Sequence, residues 1–363
     1  MSSASVAAAS TAAGGDQTQS AGRFRAFSAA MLLTFAALSA TAVSLLPHDK
    51  YFRYQVPNDP DAPTSYWIYE RIHFDPTPID IAFIGTSRTG MSIHSRRLEE
   101  DLARDGIHAN AVNLYCVRSG VNMQYVVVKE LLNSRKVKLI VLEMTEREER
   151  KPHELFHQYA DAEDILGAPL LINFNYVSDI ARLPGRQFRL AWQTLLQRLG
   201  LRHPDWSPPP YEGPHLDHAE FVRSLDNVVH SRSVQHTAAE MEQLRIAEER
   251  SITRPILPTS LSNLEYRLPR YYESRILELA REHGTRVIFL YTPRYGGPPS
   301  PSPYEQYAAR ADLINPWPLI HDYPNWKDAN HMNWFGAQIM TDYVADELRR
   351  SAQTAQTWQT AQN

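Results

Sequence analysis

Apolar residues along this chain fall into short continuous runs separated by stretches of helical spacing. Ile79–Ile84 is such a run, closed by Gly85, and reads as a buried strand. Ile93 to Leu102 then puts Leu98 and Leu102 on one helical face and stops near Gly106. Ala109 to Leu114 predicts a second strand. Residues 119–134 predict a second helix, and Val137 to Met144 (VKLIVLEM) a third strand. Tyr271 to His283 is amphipathic, with Tyr272, Ile276, Leu279 and Ala280 inward and Gly284 as its C-cap. Arg286 to Tyr291 is the next strand, and Asn333 caps a last helix carrying Phe335, Ile339, Tyr343, Val344 and Leu348. Strands alternating with helices at these lengths require parallel crossovers. The expected fold is therefore α/β, three-layer α/β/α with a mainly parallel sheet, over residues 79–350.

Between these halves the pattern breaks. Residues 151–265 read as an insertion into one domain, helical in part and rich in proline in part. Residues 161–203 have helical spacing, with Phe188, Trp192, Leu195, Leu196 and Leu199 on one face and Arg186, Arg189 and Arg198 nearby. The spacing is expected to pack that face on the domain, with a membrane-surface helix as the other reading. Residues 204–214 hold five prolines and cannot be regular structure.

The N-terminus has a different pattern. Residues 1–22 are small and polar, and with Arg23 and Arg25 they make a disordered cytoplasmic leader, 1–25. Ala26 to Leu46 is uncharged, and its 21 residues would reach about 31 Å as a helix. Basic residues before it predict an N-inside transmembrane signal-anchor over 26–46. A cleaved signal peptide, cut near Ala40-Thr41-Ala42, is the competing reading. Either way the body of the chain lies outside the cytoplasm. Residues 47–78 are expected to be an extended stalk, and 351–363 a disordered tail.

Composition narrows the function. There are 37 Lys and Arg against 41 Asp and Glu, a net charge of −4, which argues against a dedicated nucleic-acid binder. One cysteine, Cys116, excludes an intrachain disulfide and a cysteine-rich metal site. Mean hydropathy of −0.42 leaves room for one span but not for many.

Two short segments carry candidate chemistry. The first strand ends in Gly85-Thr86-Ser87-Arg88-Thr89, where a parallel sheet presents its ligands and a following helix offers backbone N–H groups. Asp328-Ala329-Asn330-His331 directly precedes the last helix. A serine needs a base to become a nucleophile at neutral pH, and that base needs an acceptor to hold its tautomer.

Together these segments resemble the SGNH (GDSL-like) hydrolase superfamily, in the chain order Ser, Asp, His. The stretches KDANHMNWFGAQIMTDYVADEL and ELAREHGTRVIFLYTPRYG are similar to that family's closing blocks. The resemblance implies the family's SGNH, flavodoxin-like fold, with Ser87 as nucleophile, His331 as base and Asp328 as its orienting carboxylate. It makes the Ser87 N–H an oxyanion donor, with Gly120 and Asn122 as further candidates and Arg118 as an alternative. Thr86 replaces the family's usual Asp, and Glu143-Met144-Thr145-Glu146 lacks the usual third-block Asn. Placed behind a membrane anchor, the domain is similar to D-alanyl transfer and exopolysaccharide O-acetylation proteins. That group implies a surface polysaccharide substrate and a membrane-bound O-acyltransferase partner, in the bacterial inner membrane with the domain outside. Transfer and hydrolysis share one acyl-enzyme, so both directions stay open. No cofactor or metal is called for. The strands carrying the two loops are expected to be neighbours in the sheet.

Two rival readings remain. His153-Glu154-Leu155-Phe156-His157 matches H-E-x-x-H, a zinc hydrolase pattern when it lies on a helix. A non-catalytic SGNH-like accessory subunit of a membrane acyltransferase would also explain the missing Asn.

Overall fold

A computed structural model describes residues 25–32, 34–36, 38–55, 62–118, 120–201, 210–216, 221–223, 229–231 and 233–354. The expected leader before Arg25, most of the proline-rich run and the tail beyond residue 354 lie outside the described residues. The chain divides into two units, Met1–Asp49 with Ala181–Arg202, and Lys50–Ile180 with His203–Asn363. The first contains a 20-residue helix, Arg25–Ser44, long and apolar enough to cross a membrane.

The second unit is mixed α/β. In chain order its main elements are α1 (Ala62–His73), β1 (Ile81–Ile84), α2 (Ser87–Ser92), α3 (Ser95–Arg104), β2 (Ala111–Asn113), α4 (Val121–Ser134) and β3 (Leu139–Met144). There follow α5 (Tyr176–Arg198), which runs on into the first unit, then β4 (Phe221–Arg223), β5 (Val229–Ser231) and α6 (Ala238–Ser251). The second unit closes with α7 (Arg267–Glu282), β6 (Arg286–Tyr291), β7 (Asp312–Ile314) and α8 (Trp334–Thr354). Five strands form an open, all-parallel sheet in the order β2-β1-β3-β6-β7, while β4 and β5 pair as a separate antiparallel ribbon. β1 aligns Ile81 with Ala111 on one side and with Leu139 on the other.

Every residue of β1, β2 and β3 is buried, which requires cover on both faces. Alternation sends Ile81, Phe83, Leu139, Val141, Ile288 and Leu290 to one face. There they meet Leu98 and Leu102 of α3, Met340, Val344 and Leu348 of α8, and Met241 of α6. On the other side α4 contacts β1, α7 contacts β6, and these two helices pack together with the Tyr125 and Tyr272 rings 5.4 Å apart.

Residues 62–73, expected to be extended stalk, are instead the helix α1. Tyr66, Trp67, Ile68, Tyr69 and Ile72 are buried, and Arg71 donates to the carbonyls of Thr77 and Pro78 at 2.8 and 2.9 Å. This composition could not remain an exposed linker: all five of those side chains are aromatic or β-branched and need a partner surface, which includes α4. β7 was not expected at all. Only three residues long and on the sheet edge, it is too short to leave a period of its own.

Candidate active site

The strand order reverses its direction of growth around β1. The chain leaves β1 toward β2 on one side and returns to β3 on the other, which leaves a crevice at the C-terminal ends of β1 and β3. Gly85-Thr86-Ser87 occupies that point. Thr86 caps α2, its hydroxyl accepting from the Arg88 N–H at 3.2 Å, and Ser87 is the first helical residue.

Ser87 Oγ lies 2.8 Å from His331 Nε2. His331 Nδ1 lies 3.0 Å from each oxygen of Asp328. Oδ1 of Asp328 also accepts the backbone N–H groups of Asn330 and His331 at 2.8 and 2.9 Å. Burial on its own would raise this carboxyl. The imidazole hydrogen bond, the imidazole charge and the two backbone donors outweigh burial and hold it below the usual range. The arrangement assigns the Nδ1 proton to the Asp328 side and leaves Nε2 to accept from the serine hydroxyl.

The histidine loop is fixed from both ends. Trp326 bridges Met332 in antiparallel register, the Lys327 N–H reaches the His331 carbonyl at 2.9 Å, and the buried Trp326 donates Nε1 to the Ile320 carbonyl at 2.7 Å. Asn333 caps α8 as expected, its Oδ1 accepting from the Gly336 N–H at 2.9 Å. α8 is held against α2 and α3 by the His94 N–H, which donates to Thr341 Oγ1 at 3.1 Å, and by Arg97 paired with Asp342 at 2.6 and 2.8 Å. The strands bearing the two loops are not neighbours, contrary to expectation, because β3 and β6 lie between β1 and β7. His331 reaches Ser87 because α8 packs on α2 and α3.

Two residues supporting the site went unassigned at the sequence level. Glu143, at the end of β3, accepts from Thr86 N–H (2.9 Å), Thr86 Oγ1 (2.9 Å), Thr89 N–H (3.1 Å) and Thr89 Oγ1 (2.5 Å). A Cβ on Gly85 would come within 2.6 Å of Glu143 Oε2, so the turn closes over the carboxylate only with glycine there. An acid inside the apolar run VKLIVLEM was the available signal. Arg88 donates to Glu146 at 2.8 Å and to Asn330 Oδ1 at 3.0 Å, joining the Ser87 turn to the histidine loop. Burial opposes the Arg88 charge, but Glu146 and Glu143 outweigh it and raise its pKa.

The oxyanion candidates are less directly engaged. Gly120 adopts φ +147°, and a Cβ there would lie 2.6 Å from that of His153, so only glycine fits; it shares the wall of a small pocket with Thr86 and Glu143. The amide oxygen of Asn122 accepts from the His153 N–H at 2.9 Å, and the side chain makes no hydrogen bond to Ser87 or His331. Arg118 pairs with Glu154.

The H-E-x-x-H residues do not share a helical face, because only Phe156–Tyr159 is helical. The buried His153 ring contacts the Val117 carbonyl at 2.9 Å, and His157 Nδ1 contacts the Glu154 carbonyl at 3.1 Å. Among the described residues one acidic group, Asp161, Glu163 and Asp164, has ligand-like spacing, and the Lys129 ammonium sits among its oxygens at 2.8–3.0 Å.

Beyond Arg88 opens a cleft of about 490 Å³ lined by charged side chains of both signs. Arg147, Lys151 and Arg254 line it, with Phe174 and Tyr266 as aromatic surfaces. Compared with known proteins, the chain matches no protein-family model and no curated sequence.

Proposed function

We propose that this chain is a membrane-anchored serine acyl-ester enzyme of the SGNH type, with a three-layer α/β/α catalytic domain outside the cytoplasm. Its substrate is an O-acylated surface polysaccharide, to which it transfers an acyl group or from which it removes one, in concert with a membrane-bound O-acyltransferase. The observation that carries this reading is the Ser87–His331–Asp328 relay. Residues 244 apart in the chain meet at 2.8 Å, in the order and with the partners a nucleophilic serine requires.

In this mechanism Ser87 Oγ attacks the ester carbonyl as His331 Nε2 takes its proton. Asp328 stabilises the imidazolium through Nδ1. The Ser87 N–H at the start of α2, together with Gly120, would face the developing oxyanion. His331 returns the proton to the leaving alcohol, leaving an acyl-serine. Water or a sugar hydroxyl, deprotonated by His331, then resolves it. The cleft beyond Arg88 supports a polymeric, polar acceptor, since aromatic faces and charged donors are suited to sugar rings. The anchor reading of residues 26–46, with an N-inside orientation, belongs to the same proposal.

Full-length protein treated with a fluorophosphonate should carry one adduct, on Ser87, and should hydrolyse a generic acetyl ester. Ser87→Ala should remove both signals. Unchanged turnover in that variant would eliminate the serine mechanism. A protein with the relay intact that is neither labelled nor active would favour the accessory-subunit reading instead.

A further inference from the structure

The apolar stripe that the sequence was expected to bury on the domain faces outward. Ala181, Gly185, Phe188, Trp192 and Leu195 follow one another at intervals of four and three along α5, with Leu199 four residues on and just past its end, and all are exposed. Phe188 is 60% and Leu199 63% exposed. The opposite side, with Leu183, Arg186, Gln187, Leu190 and Thr194, is the buried one.

What that buried side holds indicates what covers the other. Gln187 Nε2 donates to the Leu46 carbonyl at 3.2 Å and approaches His48 Nδ1 at 3.1 Å. The Asp49 N–H donates to Thr194 Oγ1 at 2.9 Å. Leu46 is only two residues past the end of the apolar helix Arg25–Ser44, so its carbonyl lies at most about 7 Å from that end. If Arg25–Ser44 crosses a bilayer, this part of α5 is held in or beside the headgroup layer, which extends several ångströms beyond the hydrocarbon. The side chains fit that depth. Trp192 and Phe188 are residue types that favour the interface, and at about 100° per residue Arg182 and Arg189 fall on one side of the stripe and Arg198 on the other. Cations flanking an apolar face match anionic headgroups above a hydrocarbon surface.

We infer that residues 181–198 form an in-plane amphipathic helix that inserts Phe188, Trp192 and Leu195, with Leu199 just past its end, into the same leaflet the anchor exits. This rests on the anchor reading of Arg25–Ser44, not on the acyl-enzyme chemistry. The helix gives the chain a second membrane attachment, which fixes the anchor's exit point to the bilayer surface rather than leaving it on a free tether.

Site-directed spin labelling of the full-length protein tests this in vesicles of phosphatidylethanolamine and phosphatidylglycerol. Cys116 is buried, which pushes its thiol up to about 12, so the unmodified chain should take up no label. Labels are placed by Leu195→Cys, by Gln197→Cys on the polar side, and by Leu38→Cys in the anchor. Leu195→Cys should show an oxygen-to-nickel-chelate accessibility ratio severalfold above that of Gln197→Cys, and Leu38→Cys should be higher still. An aqueous ratio at Leu195→Cys beside a lipid ratio at Leu38→Cys overturns the inference and leaves the anchor standing. Aqueous ratios at both overturn the two together. Shielding of Leu195→Cys from both reagents would mean that a protein, a second copy or another chain, covers the stripe, and would also overturn it.

Discussion

Four donors converge on the Glu143 carboxylate, two of them backbone N–H groups of the turn that carries Ser87. Because every neighbour donates, an amide in its place would turn an N–H₂ group toward other donors. Glu143→Gln should therefore cost about 1–3 kcal/mol in chemical denaturation. It should also lower ester turnover by displacing Ser87, with the substrate KM less affected than kcat. Asp328 acts differently, since it holds the imidazole rather than the turn. Asp328→Asn should retain the fold and leave turnover roughly two orders of magnitude above that of Ser87→Ala, measured on the same acetyl ester. Equal losses would mean that the carboxylate does more than orient His331. These roles were unequally visible in the chain. Ser87, Asp328 and His331 stand in recognisable local motifs. Glu143 and Arg88 act on partners 54–58 and up to 242 residues away, and no local pattern encodes that distance.

Among the helices, α7 carries a titrating group, in the wall of the small pocket that Thr86, Gly120 and Glu143 also line. Burial pushes the Glu273 carboxyl up to about 7 from an ordinary 4.5, with Oε2 sealed from solvent. A carboxyl that holds its proton more tightly when folded stabilises the fold at low pH and loses that contribution as pH rises. Thermal midpoints of the wild type should therefore fall between about pH 4.5 and 7 relative to those of Glu273→Gln, which lacks the group. Parallel midpoint curves for the two proteins would show that Glu273 is not held protonated. α1 and α5 show where periodicity misleads. Tyr, Pro and Asp around α1 read as linker, yet its aromatic residues are core. The stripe on α5 read as a core face, yet it is exposed. Periodicity reports that a face is apolar but not which surface covers it.

For the chain as a whole, the first test is the anchor. Arg25–Ser44 contains no charged residue beyond Arg25, and a charge near the middle of a span costs about 2.5–3.5 kcal/mol. The double substitution Phe35→Lys and Leu38→Asp should shift the protein from the membrane pellet toward the soluble fraction after alkaline extraction. Unchanged pelleting would mean that this helix is not what holds the chain. The same test separates anchor from catalysis, since ester turnover needs no membrane in the mechanism proposed.

Elements with many residues of one period could be read from the chain alone. Arg286–Tyr291 coincides with β6, Leu139–Met144 falls inside the expected third strand, and Asn333 caps α8 as its position implied. These outcomes are local, because helix and strand periods and caps act over a few residues. The order β2-β1-β3-β6-β7, the helical packing of residues 62–73 and the grouping of Ala181–Arg202 with the N-terminal segment were not readable in this way. The same holds for the meeting of Ser87 and His331. Neighbouring strands were expected to bring them together, but the packing of α8 on α2 and α3 does so across an intervening β3 and β6. Each of these depends on which apolar surfaces bury one another over long sequence separations, and burial is non-directional: the residues specify that a face must be covered, and only the assembled tertiary structure specifies by what.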